Sequence, residues 1–169
     1  MKDLLAAKEA ALSWLKPATR EILKRFQKKL TVQHKADQSP VTLADQKAEE
    51  ILRKKIQREF PDHGIIGEEF GEQDSHREWV WTIDPIDGTR SFIQGLPMFA
   101  TLLSLLRKGE PVMGIICLPA LGVLARGESA AEEPEDILSG FDDPLPEDTP
   151  ERPPDAVPDA DCESGFDFC

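Results

Sequence analysis

The order of apolar patterns in this 169-residue chain predicts an α+β fold. Apolar residues recur at helical spacing over roughly the first 60 residues, and short apolar runs typical of buried strands follow them. Residues 127–169 then hold 15 acidic residues, one basic residue and seven of the 14 prolines. Such a segment buries too little apolar surface to offset its ordering entropy. We therefore predict a partial domain over residues 1–126 and a disordered acidic tail over 127–169.

Two amphipathic helices are predicted first. An apolar stripe extends from Lys2 to about Lys29, and Pro17 should kink or divide that helix. A second helix starts at Thr42, which can cap it, with Asp45 three residues later as in a capping box. It should end before Pro61.

Four apolar runs predict the strands. "HGIIGEE" (63–69) and "WVWTID" (79–84) resemble buried strands that end in acidic residues, with a polar loop at 71–78 between them. "MFATLLSLL" and "PVMGIICLP" follow, and the intervening "RKGE" predicts a hairpin turn around Gly109.

Charge and cysteine content exclude several classes of function. Residues 1–126 carry 17 acidic and 19 basic residues without a basic stripe interleaved with aromatics, so nucleic-acid binding is not expected. The charged N-terminal segment lacks the apolar run of a signal peptide or membrane helix, which predicts a cytoplasmic protein without membrane association. Three cysteines without metal-type spacing, Cys117, Cys162 and Cys169, are expected to be free thiols.

The stretch "WTIDPIDGTRSF" contains the residues that point most directly to chemistry. Asp84 and Asp87 follow a predicted strand, and two carboxylates held so close repel unless a cation lies between them. Mg²⁺ takes such oxygen ligands, and the Ile86 carbonyl can add one. Gly88 and Thr89 then open a short helical turn whose free N–H groups suit an anion. The alternative is an ordinary Asp-rich turn with a helix cap.

A second acidic pair, Glu68 and Glu69, ends the preceding predicted strand. If the two strands pair in parallel, both sets of carboxylates lie at the same edge of the sheet, where ligands bind in open sheets. The alternative is that Glu68 and Glu69 are solvated loop charges.

Together these motifs resemble the inositol monophosphatase-like Mg²⁺-dependent phosphatases. The resemblance rests on "GEEFG" (67–71), "WTIDPIDGTRSF" (81–92), "KADQSPVTLAD" (35–45) and "GLPMFATLLSLLRKGEPVMGIICLPALG" (95–122). "FPDHGIIGEEFG" looks most like the histidinol-phosphatase branch. The resemblance implies the N-terminal part of a layered α/β/α/β/α sugar-phosphatase fold.

The resemblance also implies residue roles. Glu68, Asp84, the Ile86 carbonyl and Asp87 match the metal ligands of the family. The backbone N–H groups of Gly88 and Thr89, beside Asp87, match its phosphate site. The Thr89 hydroxyl, paired with Asp45, matches the dyad that helps to deprotonate the attacking water, so Thr89, Asp45 and Glu68 are the candidate catalytic residues. The implied reaction is in-line attack of a metal-activated water on a phosphate monoester, with Mg²⁺ as cofactor.

The chain departs from the family pattern after "LPALG". The family expectation of further strands and of a Trp-Asp segment that completes the metal site is not met, since no Trp-Asp pair occurs. Either the tail is an acidic appendage on a minimal domain, or the chain is a truncated member of the family, with residues after about Val123 that come from a shifted frame or are otherwise unrelated to the fold. We favour the second interpretation, because the edge strands would otherwise stay unpaired.

Two functions remain candidates from sequence. One is Mg²⁺-dependent hydrolysis of histidinol phosphate or inositol monophosphate, impaired if the second half is missing. The other is a non-catalytic phosphatase-like protein that self-associates, for instance as a homodimer, or binds a partner through its tail or open sheet edge.

Overall fold

The computed structural model describes residues 2–29, 32–34 and 40–128. The predicted tail beyond Glu128, with Cys162 and Cys169, lies outside the described residues, as do residues 35–39 of the family-like segment. The helices are α1 (Lys2–Leu23), α2 (Leu43–Glu59) and α3 (Thr89–Ile93). The strands are β1 (Val32–His34), β2 (Pro40–Thr42), β3 (Gly64–Gly67), β4 (Gly71–Gln73), β5 (Trp79–Asp87), β6 (Ala100–Arg107), β7 (Glu110–Leu118) and β8 (Val123–Glu128).

Six of the strands form one mixed sheet in the order β4-β3-β5-β6-β7-β8. Only β3 and β5 pair in parallel among the described strands of this sheet, and each other neighbouring pair is antiparallel. Strands β1 and β2 form a separate two-stranded ribbon just before α2. The mixed helix and sheet content confirms the predicted α+β class.

The core lies between α1, α2 and one face of the sheet. Alternation along the strands places one set of side chains in this core, because successive residues of a strand point to opposite faces. Trp14 of α1 packs edge-on against Trp81 of β5, with ring centroids 5.2 Å apart. The buried strand residues of this core include Ile65, Trp81, Ile83, Leu103, Leu105, Met113, Ile115 and Leu124.

Of the two effects predicted for Pro17, a kink or a division of the helix, the division is wrong. Pro17 does not divide it, although proline lacks the N–H group that the helix ladder needs. Buried residues on both sides of the proline, Trp14 and Ala18 among them, hold the two parts against the same core. The helix ends at Leu23 rather than near Lys29, and the turn that follows brings Phe26 onto Phe99, with ring centroids 5.0 Å apart.

The start and end of α2 agree with the sequence prediction. Thr42 is its N-cap, and its hydroxyl accepts the backbone N–H of Ala44 at 3.1 Å. Asp45 completes the capping box, since its Oδ2 accepts the backbone N–H of Thr42 at 2.8 Å. The helix ends at Glu59, before Pro61.

The predicted hairpin is also present. β6 and β7 are joined at Lys108 and Gly109, both with left-handed backbone (φ 53° and 85°). Two successive left-handed residues form the type I′ turn, whose twist suits a two-residue hairpin.

Several strand boundaries differ from the sequence prediction, and β5 continues to Asp87 instead of ending at Asp84. The loop expected at 71–78 is partly strand, because Gly71–Gln73 (β4) pairs with β3. At the other end of the sheet, β8 pairs along β7 from Val123 to Glu128. Residues just after Val123 are therefore part of the fold, and β8 extends two residues past the boundary predicted at 126. None of the helices in the described part of the chain is long and apolar enough to cross a membrane.

Candidate metal and phosphate site

The parallel pairing of β3 and β5 brings the two acidic motifs together. Gly67, the last residue of β3, is opposite Ile83, and the Glu68 N–H donates to the Ile83 carbonyl at 3.1 Å. Glu68 therefore leaves the sheet beside Asp84, the next residue along β5. This is the shared sheet edge that parallel pairing predicted.

A β-bulge separates Asp84 from Asp87. Asp84 is opposite Leu102 and Asp87 is opposite Ala100, so three steps along β5 match two along β6. Pro85 suits this position because it has no N–H to offer the ladder, and its carbonyl instead accepts the hydroxyl of the buried Thr101 at 2.8 Å. Bulges re-aim side chains, and this one leaves Asp84 half-buried while Asp87 is exposed.

Asp84 is held among negative charges. Burial, a hydrogen bond with Glu68 and the negative charges of Glu68 and Asp87 together raise its pKa to about 8, and burial is the largest of these causes. Among the described side chains, its Oδ1 is the one buried oxygen or nitrogen without a hydrogen-bond partner. A buried carboxylate oxygen without a donor is costly unless a proton or a cation reaches it.

These residues fit a hard divalent cation. Asp84 and Glu68 supply neighbouring carboxylates with an unsatisfied oxygen, Asp87 adds charge, and the Ile86 carbonyl lies between the two aspartates. Within the described residues, no three His, Cys, Asp or Glu side chains form a group that would hold an ion by itself. Mg²⁺ commonly takes only one or two carboxylates and fills its remaining positions with phosphate and water.

Asp45 uses its two oxygens for different purposes. Its Oδ2 serves the helix cap, accepting the Thr42 N–H and, at 2.5 Å, the Thr42 hydroxyl. Its Oδ1 lies 3.4 Å from the Thr89 hydroxyl, which also lies 3.0 Å from the Ile86 carbonyl. The cap and the pairing with Thr89, which the sequence left as alternatives, therefore coexist.

Burial also raises the pKa of Asp45, although the hydrogen bonds from Thr42 act in the opposite direction. The nearby charge of Glu68 adds to the rise. Asp45 is 1% exposed. Its interaction with Glu68 places the Asp45 and Thr89 pair next to the acidic group described above.

Gly88 is the turn between the acidic motif and α3. Its φ is 86°, which favours glycine, and a Cβ there would lie 3.1 Å from the Met98 carbonyl oxygen. Gly88 is exposed and Thr89 is half-buried. The N–H groups predicted to hold phosphate are thus at an accessible turn, next to Asp87.

A model of the inositol monophosphatase family matches residues 3–133 of the chain. The chain belongs to the inositol monophosphatase family. The match extends through β8, so the family pattern continues past the point where the sequence analysis expected it to end.

Curated relatives within the family include phosphatases of two named kinds. The chain is 46% identical over 110 residues to the bifunctional phosphatase IMPL2, chloroplastic, of Arabidopsis thaliana, which covers 63% of this chain and 32% of the relative. It is 48% identical over 99 residues to a histidinol-phosphatase of Chlorobaculum parvum, which covers 59% of this chain and 38% of the relative. The chain thus spans about a third of the length of these relatives.

Solved structures of the family share the fold. The extragenic suppressor protein suhB of Bartonella henselae superposes with a TM-score of 0.70 at 28% identity, covering 78% of this chain and 52% of that one. The Thermotoga maritima IMPase gives 0.69 at 28% identity, covering 78% and 50%. The described fold therefore corresponds to about half of a chain of this family.

Sequence reasoning missed three residues that contact the backbone around the candidate site. Thr101 fills the hydrogen-bonding gap at the bulge, and Glu49 with Arg53 contacts the backbone of the turn after Glu68. A Glu and an Arg four residues apart on a helix are typical of a solvated ion pair. The available signal was their position, because both fall on the helix face that carries Leu52 and Ile56.

Proposed function

We propose that this chain hydrolyses phosphate monoesters with Mg²⁺ as cofactor, with histidinol phosphate or inositol monophosphate as the candidate substrates. The observation that carries the proposal is the convergence of Glu68, Asp84 and Asp87 beside the Asp45 and Thr89 pair. Family membership and the names of the curated relatives support phosphatase chemistry on these two kinds of substrate.

Glu68, Asp84, Asp87 and the Ile86 carbonyl would hold the cation. The positive charge of the cation would allow the carboxylates of Glu68 and Asp84 to be ionised at the same time. When bound, Mg²⁺ would make water a better nucleophile at neutral pH and would stabilise the leaving oxygen. The exposed position of Asp87 and Gly88 leaves this group open to a phosphorylated substrate.

Phosphate would be bound by the backbone N–H groups of Gly88 and Thr89. The left-handed backbone at Gly88 and the absence of a side chain there would let a phosphate oxygen approach closely. The Thr89 hydroxyl would then orient the attacking water.

Asp45 would act as the general base through Thr89. The Thr89 Oγ1 would accept a proton from the water and pass its own to Asp45 Oδ1. A carboxylate with a raised pKa is better suited to accept a proton near neutral pH than an ordinary one.

The test is phosphate release by the 169-residue chain from histidinol phosphate and from inositol monophosphate, each with and without Mg²⁺. Asp87→Asn should lower Mg²⁺-dependent release about 100-fold or more. The matched control is Asp62→Asn, because Asp62 is exposed and lies before β3, at the opposite end of that strand from Glu68. Release that needs no Mg²⁺, or that survives Asp87→Asn, would contradict the proposal.

A second candidate is the non-catalytic, self-associating protein. The sheet face opposite the core favours it, since Ile116 is 47% exposed and Leu102 and Leu106 are half-buried. Light scattering after size-exclusion chromatography should then show a dimer that Ile116→Lys converts to a monomer. A monomer in both proteins, together with Mg²⁺-dependent turnover, would rule out this alternative.

A further inference from the structure

Glu49 is an acidic residue with no exposed surface, and it lies in α2 beneath the turn that carries Glu68. Its Oε2 accepts the backbone N–H of Glu69 at 2.7 Å, and its Oε1 accepts that of Phe70 at 3.2 Å. Both N–H groups belong to residues that directly follow Glu68. One buried carboxylate therefore satisfies two consecutive backbone donors of this turn.

Arg53, one helical turn later, holds the other end of the same turn. Its Nε donates to Glu49 Oε1 at 2.7 Å, and its Nη2 donates to the Gly71 carbonyl. Its guanidinium also lies over the Phe70 ring, 5.9 Å from the centroid. The Glu49 and Arg53 pair therefore contacts the turn at three successive residues, Glu69, Phe70 and Gly71.

The strand before the turn leaves space for this pair. A Cβ on Gly67 would lie 1.9 Å from Glu49 Oε1 and 2.7 Å from Arg53 Nη2. Gly67 thus allows the carboxylate to lie against the backbone of β3. Three residues, Gly67, Glu49 and Arg53, are thus arranged around the single four-residue turn at 68–71.

Stability alone is a weak reason for such an arrangement. The desolvation cost of a buried ion pair often equals or exceeds its Coulomb attraction, and well-packed apolar residues are frequently as stable. What an apolar pair could not provide is the set of directional hydrogen bonds to the backbone at residues 69–71. These hydrogen bonds define the backbone geometry of the turn, and the backbone geometry in turn sets the direction of the Glu68 side chain.

We propose that Glu49, supported by Arg53, is a positioning residue that fixes the turn after β3 so that the Glu68 carboxylate faces Asp84. The proposal rests on the proposed function, in which Glu68 and Asp84 hold Mg²⁺. Glu49 itself bonds to backbone N–H groups and to Arg53, so it acts on the site through the turn.

The decisive variant is Glu49→Gln in the full 169-residue chain, with Glu50→Gln as the matched control. Glu50 is the neighbouring acid on α2, is half-exposed, and pairs with Lys47 at 3.1 Å. A glutamine at position 49 keeps the shape but presents an N–H₂ group to one backbone donor and leaves Arg53 without its ion-pair partner. Mutation of a residue that orients a metal ligand typically lowers metal affinity about 10–100-fold. Calorimetry should therefore show that Glu49→Gln binds Mg²⁺ more weakly than wild type by about that factor. Glu50→Gln should bind Mg²⁺ as wild type does.

Amide hydrogen exchange without metal provides the second readout. In Glu49→Gln, the amides of Glu69 and Phe70 should exchange at least about tenfold faster while the buried strand β5 keeps its protection. Protection retained at both amides, or Mg²⁺ affinity within twofold of wild type, would overturn the proposal. Equal loss of protection throughout the chain would also overturn it, since that result indicates a general role in folding.

Arg53→Lys covers the case in which Glu49→Gln does not fold. Lysine keeps the charge near Glu49 but loses the planar fork that reaches Gly71. This variant should weaken Mg²⁺ binding several-fold, and unchanged binding would count against the proposal. If wild type itself binds no Mg²⁺, the proposed function fails, whereas the exchange of the Glu69 and Phe70 amides still shows whether Glu49 holds the turn.

Discussion

Asp45 and Thr89 lie 44 residues apart in sequence and face each other across the site, with Asp45 Oδ1 3.4 Å from Thr89 Oγ1. The other oxygen of Asp45 caps α2 at Thr42. Asp45, the third residue of α2, thus contributes to the cap of the helix and also faces Thr89 in the turn after Gly88. The cap fixes the carboxylate in orientation, because Oδ2 is held by two bonds from Thr42.

Replacing Asp45 should separate its two roles. Asp45→Asn can still accept the Thr42 N–H, but it places an uncharged amide near Thr89 and removes the proton acceptor. We expect phosphate release to fall at least about 100-fold. Stability should fall by about 1 kcal/mol, the usual size of a capping effect.

The comparison variant is Thr42→Val, which removes one hydroxyl of the cap. It should cost a similar amount of stability in chemical denaturation while reducing phosphate release much less than Asp45→Asn. Equal losses of activity in the two variants would mean that Asp45 acts only as a cap.

The fold was largely predictable because its signals are local. The start of α2 is predicted by two nearby residues, Thr42 and Asp45. The hairpin between β6 and β7 is likewise predicted by Lys108 and Gly109. The parallel pairing of β3 and β5 was stated only as a condition, since nothing local fixes strand direction. Strand β4 was missed because its three residues are all exposed and carry no apolar pattern.

The site was predictable in its residue types but not in its supports. Glu68 follows β3, and Asp84 and Asp87 lie in the last four residues of β5, in a motif that is evident from the sequence. The bulge at Pro85, the hydroxyl of Thr101 and the charge of Glu49 act through tertiary contacts with backbone groups. Contacts of this kind do not produce a recurring pattern of residues in the sequence, so they cannot be predicted from it. For the same reason, packing on both sides of Pro17 outweighed the local preference for a break in α1.

Gly67→Ala should destabilise the chain although alanine is chemically conservative. The added methyl would lie 1.9 Å from Glu49 Oε1, so the buried carboxylate must move away from its backbone donors. We expect a loss of about 1–3 kcal/mol in the free energy of unfolding, typical of overpacking. Urea denaturation followed by fluorescence of the buried Trp14 and Trp81 would measure it.

Gly127→Ala in β8 is the matched control for that substitution. Gly127 also lies in a strand, but no atom lies within 4 Å of a Cβ built there. Its unfolding free energy should change by less than about 0.5 kcal/mol. Similar losses in both variants would show that Gly67 is not specifically required by Glu49.

The stability of the metal-free chain should depend on the proton at Asp84. Because the folded-state pKa of Asp84 is raised to about 8 from an ordinary value near 3.8, the folded state holds this proton more tightly than the unfolded state. The resulting contribution to stability is fully present below about pH 3.8 and is lost as the pH rises through about 8. In EDTA, the melting temperature should therefore fall between pH 5 and 8 by more in wild type than in Asp84→Asn.

Excess Mg²⁺ should reverse this trend for wild type. The cation competes with the proton, so its binding and the stability it confers increase with pH; at 100 times its dissociation constant the gain is about 2.7 kcal/mol. Asp84→Asn should gain much less. Identical pH profiles for the two proteins in EDTA would show that Asp84 does not carry the proton.

Cys117 should be almost unreactive in the folded chain. It is the next-to-last residue of β7, between Thr101 of β6 and Leu124 of β8, with no exposed surface. Burial raises the pKa of its thiol to about 12. At pH 8 only about one thiol in 10⁴ would then be ionised, and the thiolate is the reactive species. Labelling must therefore wait until the structure around β7 opens.

The measurement needs Cys162→Ser and Cys169→Ser, so that Cys117 is the single cysteine left. A disulfide reagent at pH 8 should then label the native protein at least about 10³-fold more slowly than the same protein in guanidinium. Val123→Pro should accelerate the native reaction, since Val123 pairs with Leu118 at the start of β8 and proline cannot donate to the ladder. If labelling of the native protein were as fast as that of the unfolded chain, β8 would not cover Cys117, and the sheet would end at β7 in solution.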